Sequence, residues 1–248
     1  LAQSVEEFIL AAGILVCQGY GLTETAALLT CNHPAAFRLG TVGTPVLGSE
    51  GRIMATGEIE VRGGSVMAGY YGKAAETAAA FHDGWLRTGD VGSVDADGFL
   101  TVTDRIKDLI ITSQGKNVAP QHIETLLADD PLIEQVVIIG DRRSYLSALV
   151  EPAFPALERL ANERGIAYSS RAQLVADPDV HVLFAERINE RSRDLAGYEQ
   201  VRRFTVLAHE FSQAEGQVTP TMKLRRAAIE TEFAGVIESM YDAPRESA

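Results

Sequence analysis

The sequence predicts an α+β protein in two parts, a small antiparallel β unit followed by an α+β domain. The first observation is a series of short strand-like segments between residues 40 and 103, separated by Gly-rich and Asp-Gly turn signals. The second is a change of pattern at Pro120, after which helical and strand spacings follow each other. We predict domains over residues 1–106 and 107–248, because the strand-and-turn pattern ends within a charged run that begins at Asp104.

The first part is predicted to begin with a helix and a buried strand. Apolar side chains recur at helical spacing at Val5, Phe8, Ile9 and Ala12. The apolar run 14–17 then predicts a short buried strand, which leads to two glycines that let the backbone approach a ligand closely. Within the β unit, residues 57–63 alternate between apolar and polar side chains and predict a strand.

The second part is predicted to contain four helices and three strands. The first helix starts at Pro120, a residue that is tolerated at the first helical position. Strands are predicted over 135–139 and 146–151, joined by a turn over 140–144, and a third strand over 201–207. Apolar spacing marks the other helices by Leu157 and Leu160, by Val180, Phe184 and Ile188, and by Ile229, Phe233 and Ile237.

The charge of the chain argues against a nucleic-acid partner. With 22 Lys and Arg against 34 Asp and Glu, the net charge is −12, whereas a protein that binds a phosphate backbone needs concentrated positive charge. The pairs at 202–203 and 225–226 are local clusters of arginine, and we interpret both as solvated faces. At 46% apolar residues the chain is predicted to be globular.

The cysteines and histidines predict neither a disulfide framework nor a metal centre. Cys17 and Cys31 are the only cysteines, and we interpret both as reduced thiols in the core. The five histidines show no metal-binding spacing. No other catalytic signature competes for the function, since the sequence has no HExxH, Cys-x-x-Cys or dinucleotide fingerprint.

The chain shows no membrane-spanning or export signal. It lacks the run of about 18 apolar residues that can cross a bilayer, and no basic stretch precedes an apolar run at the N-terminus. We therefore expect a cytosolic protein that is at most peripheral to a membrane. The chain begins at Leu1 inside an amphipathic pattern, so we also expect a piece of a longer protein.

Four polar segments combine charged residues, hydroxyl groups and glycine in a fixed order. The four segments are 18–25 (QGYGLTET), 84–90 (GWLRTGD), 104–120 (DRIKDLIITSQGKNVAP) and 219–226 (TPTMKLRR). Taken singly, their residues have ordinary structural interpretations: Tyr20 would be a half-buried aromatic, Asp90 a turn residue and Lys223 an exposed lysine.

Together, these segments resemble the motifs of the adenylate-forming superfamily, which includes acyl-CoA synthetases, the adenylation domains of peptide synthetases and firefly luciferase. The amino-acid sequences of segments 112–120 and 220–226 are most similar to those of long-chain fatty acid–CoA ligases. The resemblance implies the end of a large nucleotide-binding domain, with a small antiparallel β-barrel-like subdomain, followed by a complete mobile C-terminal lid. It also implies an enzyme that activates a fatty acid with ATP to an acyl-adenylate and transfers the acyl group to coenzyme A.

By this resemblance, the first three segments bind nucleotide and metal. Tyr20 would stack on adenine beside Gly21. Thr23 would donate a hydrogen bond to the α-phosphate. Glu24 would help to hold Mg²⁺ through a hard oxygen ligand. Thr23 and Glu24 are both included, with Lys223, in the expected catalytic set.

The resemblance also assigns the ribose contacts. The Asp90 carboxylate has two acceptor oxygens that match the vicinal hydroxyls of ribose. Arg105 would reach the ribose with its planar fork of donors.

The remaining roles belong to the predicted lid. Lys107 would be the hinge about which it turns, since a hinge needs only a residue that absorbs a backbone change. Ser113, Gln114 and Gly115 would line the passage for the pantetheine arm of coenzyme A. Lys223 would bridge the carboxylate and the α-phosphate during adenylation, because two anions that must approach repel each other.

Two alternatives stay open at this point. A fatty acyl-AMP ligase would hand its product to a carrier protein instead of coenzyme A. A non-catalytic module would bind nucleotide weakly or pair with a partner, such as the N-terminal portion of the same enzyme. The upstream loop that wraps the ATP phosphates in the resembled family has no counterpart in this sequence. We therefore expect the 248 residues alone to be inactive.

Overall fold

The computed structural model describes residues 3–220 and 223–242. The chain forms two compact units, residues 1–109 and 110–248. The boundary that we predicted between residues 106 and 107 lies just upstream of this division. The mixed α and β composition confirms the predicted fold class.

The first unit is mostly short strands with two helices. A 3₁₀ turn spans Thr23–Thr25 and a second one spans Ile106–Asp108. The helices and strands are α1 (Gln3–Ala11), β1 (Gly19–Tyr20), β2 (Thr30–Cys31), β3 (Thr44–Pro45), β4 (Ser49–Ile53), β5 (Glu58–Gly63), α2 (Ala74–Ala80), β6 (Phe81–His82), β7 (Trp85–Val94) and β8 (Leu100–Arg105).

Two antiparallel sheets organise this unit, and neither closes into a barrel among the described residues. β1, β2 and β3 form one sheet, and the other runs β4-β5-β7-β6 with β8 also paired to β7. β6 and β8 pair with successive halves of β7, whose length of ten residues allows both. The predicted strand over 57–63 is confirmed as β5. The core of the unit consists of Leu29, Ile59, Val61, Leu86 and Leu100.

The strand predicted over residues 14–17 is wrong. These residues form no strand, and Ile14 and Leu15 are 61% and 41% exposed. An apolar run is buried only where another surface covers it, and the described residues supply no such surface here. Cys17 is exposed and Cys31 is half-buried, so Cys17 is not the core thiol that we expected; both are free.

The second unit is built on a three-stranded sheet. Its elements are β9 (Ile110–Ile111), β10 (Asn117–Val118), α3 (Pro120–Ala128), β11 (Ile133–Ile139), β12 (Leu146–Pro152), α4 (Phe154–Arg164), α5 (Arg171–Val175), α6 (Pro178–Ser192), β13 (Val201–Val206), α7 (Arg226–Glu232) and α8 (Ala234–Asp242). β11 pairs antiparallel with β12, and β13 pairs parallel to it.

Helices cover both faces of this sheet, and its central strand is buried throughout. Ala148 and Val150 face the cluster formed with α3, α4 and α6, whereas Leu149 faces the cluster formed with α7 and α8. This alternation follows from the two-residue period of a strand. The predicted strands and the helix from Pro120 are confirmed. The predicted closing helix is interrupted at Phe233, whose buried ring stacks on His209, so it forms α7 and α8.

Candidate functional site

Three of the residues expected to bind nucleotide meet at one carboxylate in the first unit. The Tyr20 hydroxyl donates a hydrogen bond to Asp90 Oδ2 at 2.6 Å. Arg105 Nε lies 3.3 Å from Asp90 Oδ1. Asp90 is 5% exposed, whereas the side chain of Arg105 is 55% exposed. The carboxylate is therefore fixed from two sides, and the outer partner faces solvent.

A bulge in β7 aims the Asp90 side chain. The pairing of β5 with β7 shifts between Glu58 and Glu60, and Gly89 in the bulged stretch has φ +71°, a value that favours glycine. The Thr88 hydroxyl donates to Ile59 O at 2.7 Å and accepts from Asp90 N at 3.1 Å. Asp90 thus lies in a strand, directly opposite Arg105 on β8.

Burial sets the protonation state of Tyr20. Desolvation, followed by the hydrogen bond to Asp90, raises the pKa of the Tyr20 phenol far above its ordinary value of 10.0. The phenol therefore stays protonated at neutral pH and serves as a donor to Asp90. A carboxylate has about four lone-pair sites, so Asp90 retains acceptor capacity for further hydroxyl groups.

The loop after Tyr20 is closed by its own backbone. Thr25 is fully buried, and its hydroxyl both accepts from Leu22 N and donates to Leu22 O. A Cβ on Gly21 would lie 1.3 Å from Ala27 O, so only glycine fits there. The Cβ side of Gly21 is thus occupied by Ala27, and the expected approach of a ligand to its backbone stays a prediction. Thr23 is exposed at the start of the 3₁₀ turn.

Glu24 has a partner that the sequence reasoning missed. The Tyr70 hydroxyl donates to Glu24 Oε1 at 3.0 Å, and Met67 N donates to Glu24 O at 2.7 Å. The hydrogen bond to Glu24 raises the pKa of Tyr70. Two tyrosines stand between Gly69 and Gly72 in a turn-like segment, but no spacing in the sequence indicates that either one meets Glu24.

A cavity of about 300 Å³ adjoins these groups. Its walls bring together Glu24, Tyr70 and the cations Arg87, Arg105 and Lys107. Arg87 is already paired with the buried Glu58 at 2.9 Å. Arg105 and Lys107 are exposed, so the rim of the cavity is positively charged on a chain that is otherwise acidic. Such a cavity suits an anion that also brings hydroxyl groups.

The carboxylate of Glu24 suits a magnesium site in which water and substrate phosphates supply most of the ligands. No cluster of three or more His, Cys, Asp or Glu that could hold a metal is present within residues 3–220 and 223–242. Mg²⁺ does not need one, because it usually keeps several waters and binds through one or two carboxylates and the phosphates of the substrate. Glu24 places one carboxylate at the wall of the cavity.

The second unit presents Gly115 and Lys223 on two separate hairpins. Gly115 has φ +73° in the loop between β9 and β10, and its N–H donates to Thr112 O at 2.8 Å. Lys223 is exposed, its N–H donates to Thr219 Oγ1 at 3.0 Å, and its carbonyl accepts from Thr219 N. Thr221 and Met222, within the same segment, lie outside the described residues.

Arg226 is the other residue that sequence reasoning misjudged. We interpreted residues 225–226 as a solvated pair, but only Arg225 is exposed. The Arg226 guanidinium donates to Ile138 O and to Glu124 Oε1, and Glu124 Oε1 also accepts from Ile138 N at 2.8 Å. Arg226 therefore fastens the end of the Lys223 hairpin to β11.

Two family models match the chain. The AMP-binding enzyme C-terminal domain matches residues 107–245, and the AMP-binding enzyme model matches residues 1–71. No helix in the described part of the chain is long and apolar enough to cross a membrane.

Curated relatives are similar over almost the whole chain. The long-chain-fatty-acid–CoA ligase FadD15 of Mycobacterium bovis is 38% identical over 98% of this chain and 40% of its own length. The human long-chain-fatty-acid–CoA ligase ACSBG1 is 32% identical over 95% of this chain and 36% of its own length. The chain thus spans about 40% or less of the length of these two relatives.

Solved structures share the fold. The adenylation domain of a carboxylate reductase from Mycobacterium chelonae has a TM-score of 0.73 over 98% of this chain and 37% of its own, at 24% identity. At that identity the likeness shows the fold alone. O-succinylbenzoate coenzyme A synthetase of Bacillus subtilis, solved in complex with ATP and magnesium, has a TM-score of 0.66 over 92% of this chain and 44% of its own, at 27% identity.

Proposed function

This chain belongs to the AMP-binding enzyme family, as its four motifs predicted, and on that premise we propose that it is the C-terminal part of a long-chain fatty acid–CoA ligase. The complete enzyme would join the carboxylate of a fatty acid to the α-phosphate of ATP with release of pyrophosphate, and then pass the acyl group to the thiol of coenzyme A with release of AMP. The N-terminal portion of the same enzyme, which relatives of greater length contain, would supply the rest of the active site.

The observation that supports the proposal best is the meeting of Tyr20, Arg105 and Asp90 beside the charged cavity. Residues from three distant segments of the sequence converge on one buried carboxylate. A buried charge is costly unless it is paired, and this one is paired by two groups, of which Arg105 also lines the cavity. The arrangement suits a nucleoside, whose hydroxyls bind the carboxylate and whose phosphates approach Arg105 and Lys107.

In the first step, the chain's task is to hold anions together. Asp90 would accept hydrogen bonds from the ribose hydroxyls. Arg105 would reinforce that contact, since its exposed guanidinium has N–H donors that Asp90 does not use. Tyr20 would offer its ring to adenine while its hydroxyl holds Asp90 in place. Thr23 would donate to the α-phosphate. When bound, Mg²⁺ would neutralise phosphate charge, and Glu24 would contribute one of its ligands.

The second unit would serve both steps. Lys223, a compact point charge, would bring the carboxylate of the fatty acid and the α-phosphate together despite their repulsion. After the adenylate has formed, the loop that contains Gly115 would replace Lys223 at the site and guide the thiol. Lys107, next to the division between the two units, would absorb the backbone change as a hinge.

The test separates the two steps in the full-length enzyme. Pyrophosphate release is measured with a panel of fatty acids, and thioester formation is measured from acyl-adenylate that is supplied ready-made. We expect Lys223→Ala to lower pyrophosphate release by about a hundredfold or more, because a preorganised cation at the transition state is removed. Thioester formation from the supplied adenylate should change little.

Lys73→Ala is the matched control, because Lys73 is an exposed lysine in the first unit. It should leave both steps at the wild-type rate. A wild-type enzyme that releases no pyrophosphate with any fatty acid would refute the fatty acyl assignment. Replacing coenzyme A with a holo-carrier protein in the second assay distinguishes the two thiol acceptors. The 248 residues alone should release no pyrophosphate.

A further inference from the structure

The loop between β9 and β10 is tight and depends on few contacts of its own. Thr112 N donates to Lys116 O at 3.0 Å, and Lys116 N donates to Thr112 Oγ1 at 3.1 Å. Thr112 is buried, whereas Ser113 and Gln114 are exposed. The two strands contribute only two residue pairs. A hairpin this short is not stable in isolation, so its position must be set by what it packs against.

The turn between β11 and β12 supplies that support. Ser113 N donates to Arg143 O at 2.9 Å. Arg142 N donates to Ile111 O at 2.8 Å, and Ile111 N donates to Asp141 Oδ1 at 3.2 Å. Three hydrogen bonds therefore join this turn to the hairpin. Arg142 has φ +56°, a strained value for a non-glycine residue, so the turn itself needs to be held.

Helix α8 holds the turn from its other side. The Arg143 guanidinium forms hydrogen bonds with both carboxylate oxygens of Glu238 and lies 4.7 Å from the centre of the Tyr241 ring. The rings of Tyr145 and Tyr241 stack at 4.8 Å, and the Tyr145 hydroxyl donates to Met240 O at 2.7 Å. The bidentate ion pair between Arg143 and Glu238 fixes the orientation of both side chains.

Arg143 is the residue that joins these two sets of contacts. Its side chain binds α8, and its backbone carbonyl binds the N–H of Ser113. A hydrogen-bonded path thus runs from Glu238 through one residue to the hairpin loop. The Tyr241 hydroxyl adds a second path, because it bonds with Ile139 O at 3.1 Å and Tyr145 O at 3.2 Å.

We propose that Arg143, Glu238 and Tyr241 are positioning residues for thioester formation, through which α8 sets the place of the 112–116 loop. The inference rests on the proposed function, in which that loop guides the thiol. The three residues belong to the second unit, whereas the nucleotide cluster belongs to the first. Their removal should therefore affect the second step and spare the first.

The first experiment tests only whether the contacts with α8 stabilise the 112–116 loop. Amide hydrogen exchange at Ser113 is compared between this chain and its Arg143→Ala, Glu238→Gln and Tyr241→Phe variants. We expect Ser113 to exchange at least about tenfold faster in Arg143→Ala and Glu238→Gln, because local opening becomes easier when the turn is released. Tyr241→Phe keeps both ring contacts and loses only its hydroxyl, so it should show a smaller increase.

The second experiment measures the consequence in the full-length enzyme. Arg143→Ala and Glu238→Gln should lower thioester formation from supplied acyl-adenylate by roughly tenfold or more and raise the KM for coenzyme A, since small displacements of a positioning group are costly. Pyrophosphate release and the KM for ATP should stay within about twofold of wild type, because the adenylation contacts are untouched. Arg143→Lys, which keeps the charge but not the fork, should fall between.

Arg171→Ala is the matched control. Like Arg143, Arg171 combines a carboxylate contact with an aromatic one, since it pairs with Glu158 and Glu210 and lies 3.9 Å from the centre of the Phe154 ring. All three of these partners lie outside the 112–116 loop and the turn that supports it. Arg171→Ala should change neither Ser113 exchange nor thioester formation. Equal loss of both steps in Arg143→Ala, or unchanged Ser113 exchange, would overturn the inference. An enzyme that makes no adenylate would refute the proposed function instead. The hydrogen-exchange data would still show whether α8 controls the position of the 112–116 loop.

Discussion

The Tyr20 hydroxyl and the Asp90 carboxylate are 2.6 Å apart although 70 positions separate them in the sequence. The bond ties the end of β1 to the bulge in β7, so two of the four motifs share one hydrogen bond. A hydrogen bond to a buried charged group contributes about 1.5–3 kcal/mol. The contact therefore organises the candidate nucleotide site and stabilises the first unit at the same time.

Tyr20→Phe should destabilise the first unit at neutral pH, and the difference from wild type should shrink above pH 10. Below the ordinary pKa of 10.0, the variant should lose about 2 kcal/mol in free energy of unfolding. The folded state raises the pKa of Tyr20, so it holds the proton more tightly than the unfolded state. Wild-type stability is thus complete below pH 10.0 and falls as the pH rises toward the folded-state pKa.

Trp85 gives the measurement, since it is the single tryptophan and lies in β7 of the first unit. Urea unfolding followed by its fluorescence at pH 7.5 and at pH 10.5 would compare wild type, Tyr20→Phe and Tyr71→Phe. Tyr71 is fully exposed, so its variant should behave like wild type at both values. A Tyr20→Phe deficit that is the same at both pH values would contradict the expected linkage.

Gly21→Ala should be among the most damaging small substitutions in the first unit. The added methyl would lie 1.3 Å from Ala27 O, and backbone cannot give way as a flexible side chain does. We expect a loss of about 3 kcal/mol, at the upper end for overpacking. Gly64→Ala is the control, because nothing lies within 4 Å of its Cβ position. Trp85 fluorescence during urea unfolding would report both, and equal losses would argue against the close approach of Ala27.

The sequence predicted the parts of this molecule that follow from periodicity and order along the chain. The spacing of apolar residues is unambiguous, either strand-like or helix-like, in four of the predicted elements. The structure confirms all four, which are β5, β11, β12 and α3. Residues 14–17 were mispredicted because apolar content does not reveal whether a surface covers it. The nucleotide roles of Tyr20, Asp90 and Arg105 stay predictions. The resemblance gave Asp90 and Arg105 a common ligand, and the structure places their side chains 3.3 Å apart.

Other features depend on contacts that no spacing encodes. Tyr70 reaches Glu24 across 46 positions, and only the folded chain shows that the two meet. Arg225 and Arg226 are identical neighbours in sequence, yet one is exposed and the other is anchored to β11. Long-range pairing of this kind is decided by tertiary packing, so a local pattern could not separate them.

Glu151→Gln should stabilise the second unit at neutral pH. Burial raises the pKa of Glu151, and the nearby charges of Glu210 and Glu134 add to that effect, while the hydrogen bond from Phe211 N opposes it. The folded state therefore binds the proton more tightly than the unfolded state. This contribution is complete below the ordinary pKa of 4.5 and is lost as the pH rises through the folded-state pKa.

Glutamine keeps an oxygen that can accept from Phe211 N and removes the charge, so the gain should be present at pH 7 and absent at pH 4. Circular dichroism during urea unfolding, with Trp85 fluorescence to identify the first unit, would measure it. Glu163→Gln is the control, because Glu163 is an exposed carboxylate on α4. A gain of equal size at both pH values would show that burial of the charge is not its cause.

Arg226→Ala and Arg225→Ala should differ sharply in both stability and activity. Arg226→Ala removes the guanidinium that pairs with Glu124, whose side chain is 13% exposed, and that binds Ile138 O, and we expect a loss of about 2 kcal/mol in the second unit. Arg225→Ala should stay within about 0.5 kcal/mol, as exposed substitutions usually do. Urea unfolding followed by circular dichroism would give both values.

The activity difference should exceed what stability alone predicts, because Arg226 fixes the hairpin on which Lys223 lies. In the full-length enzyme at a temperature where both variants are folded, Arg226→Ala should lower pyrophosphate release by roughly tenfold or more, since a misplaced catalytic cation loses transition-state stabilisation. Arg225→Ala should release pyrophosphate at close to the wild-type rate. If the two variants had equal rates, the anchoring of Arg226 to β11 would have no part in placing Lys223, and that lysine would be positioned by contacts within its own hairpin.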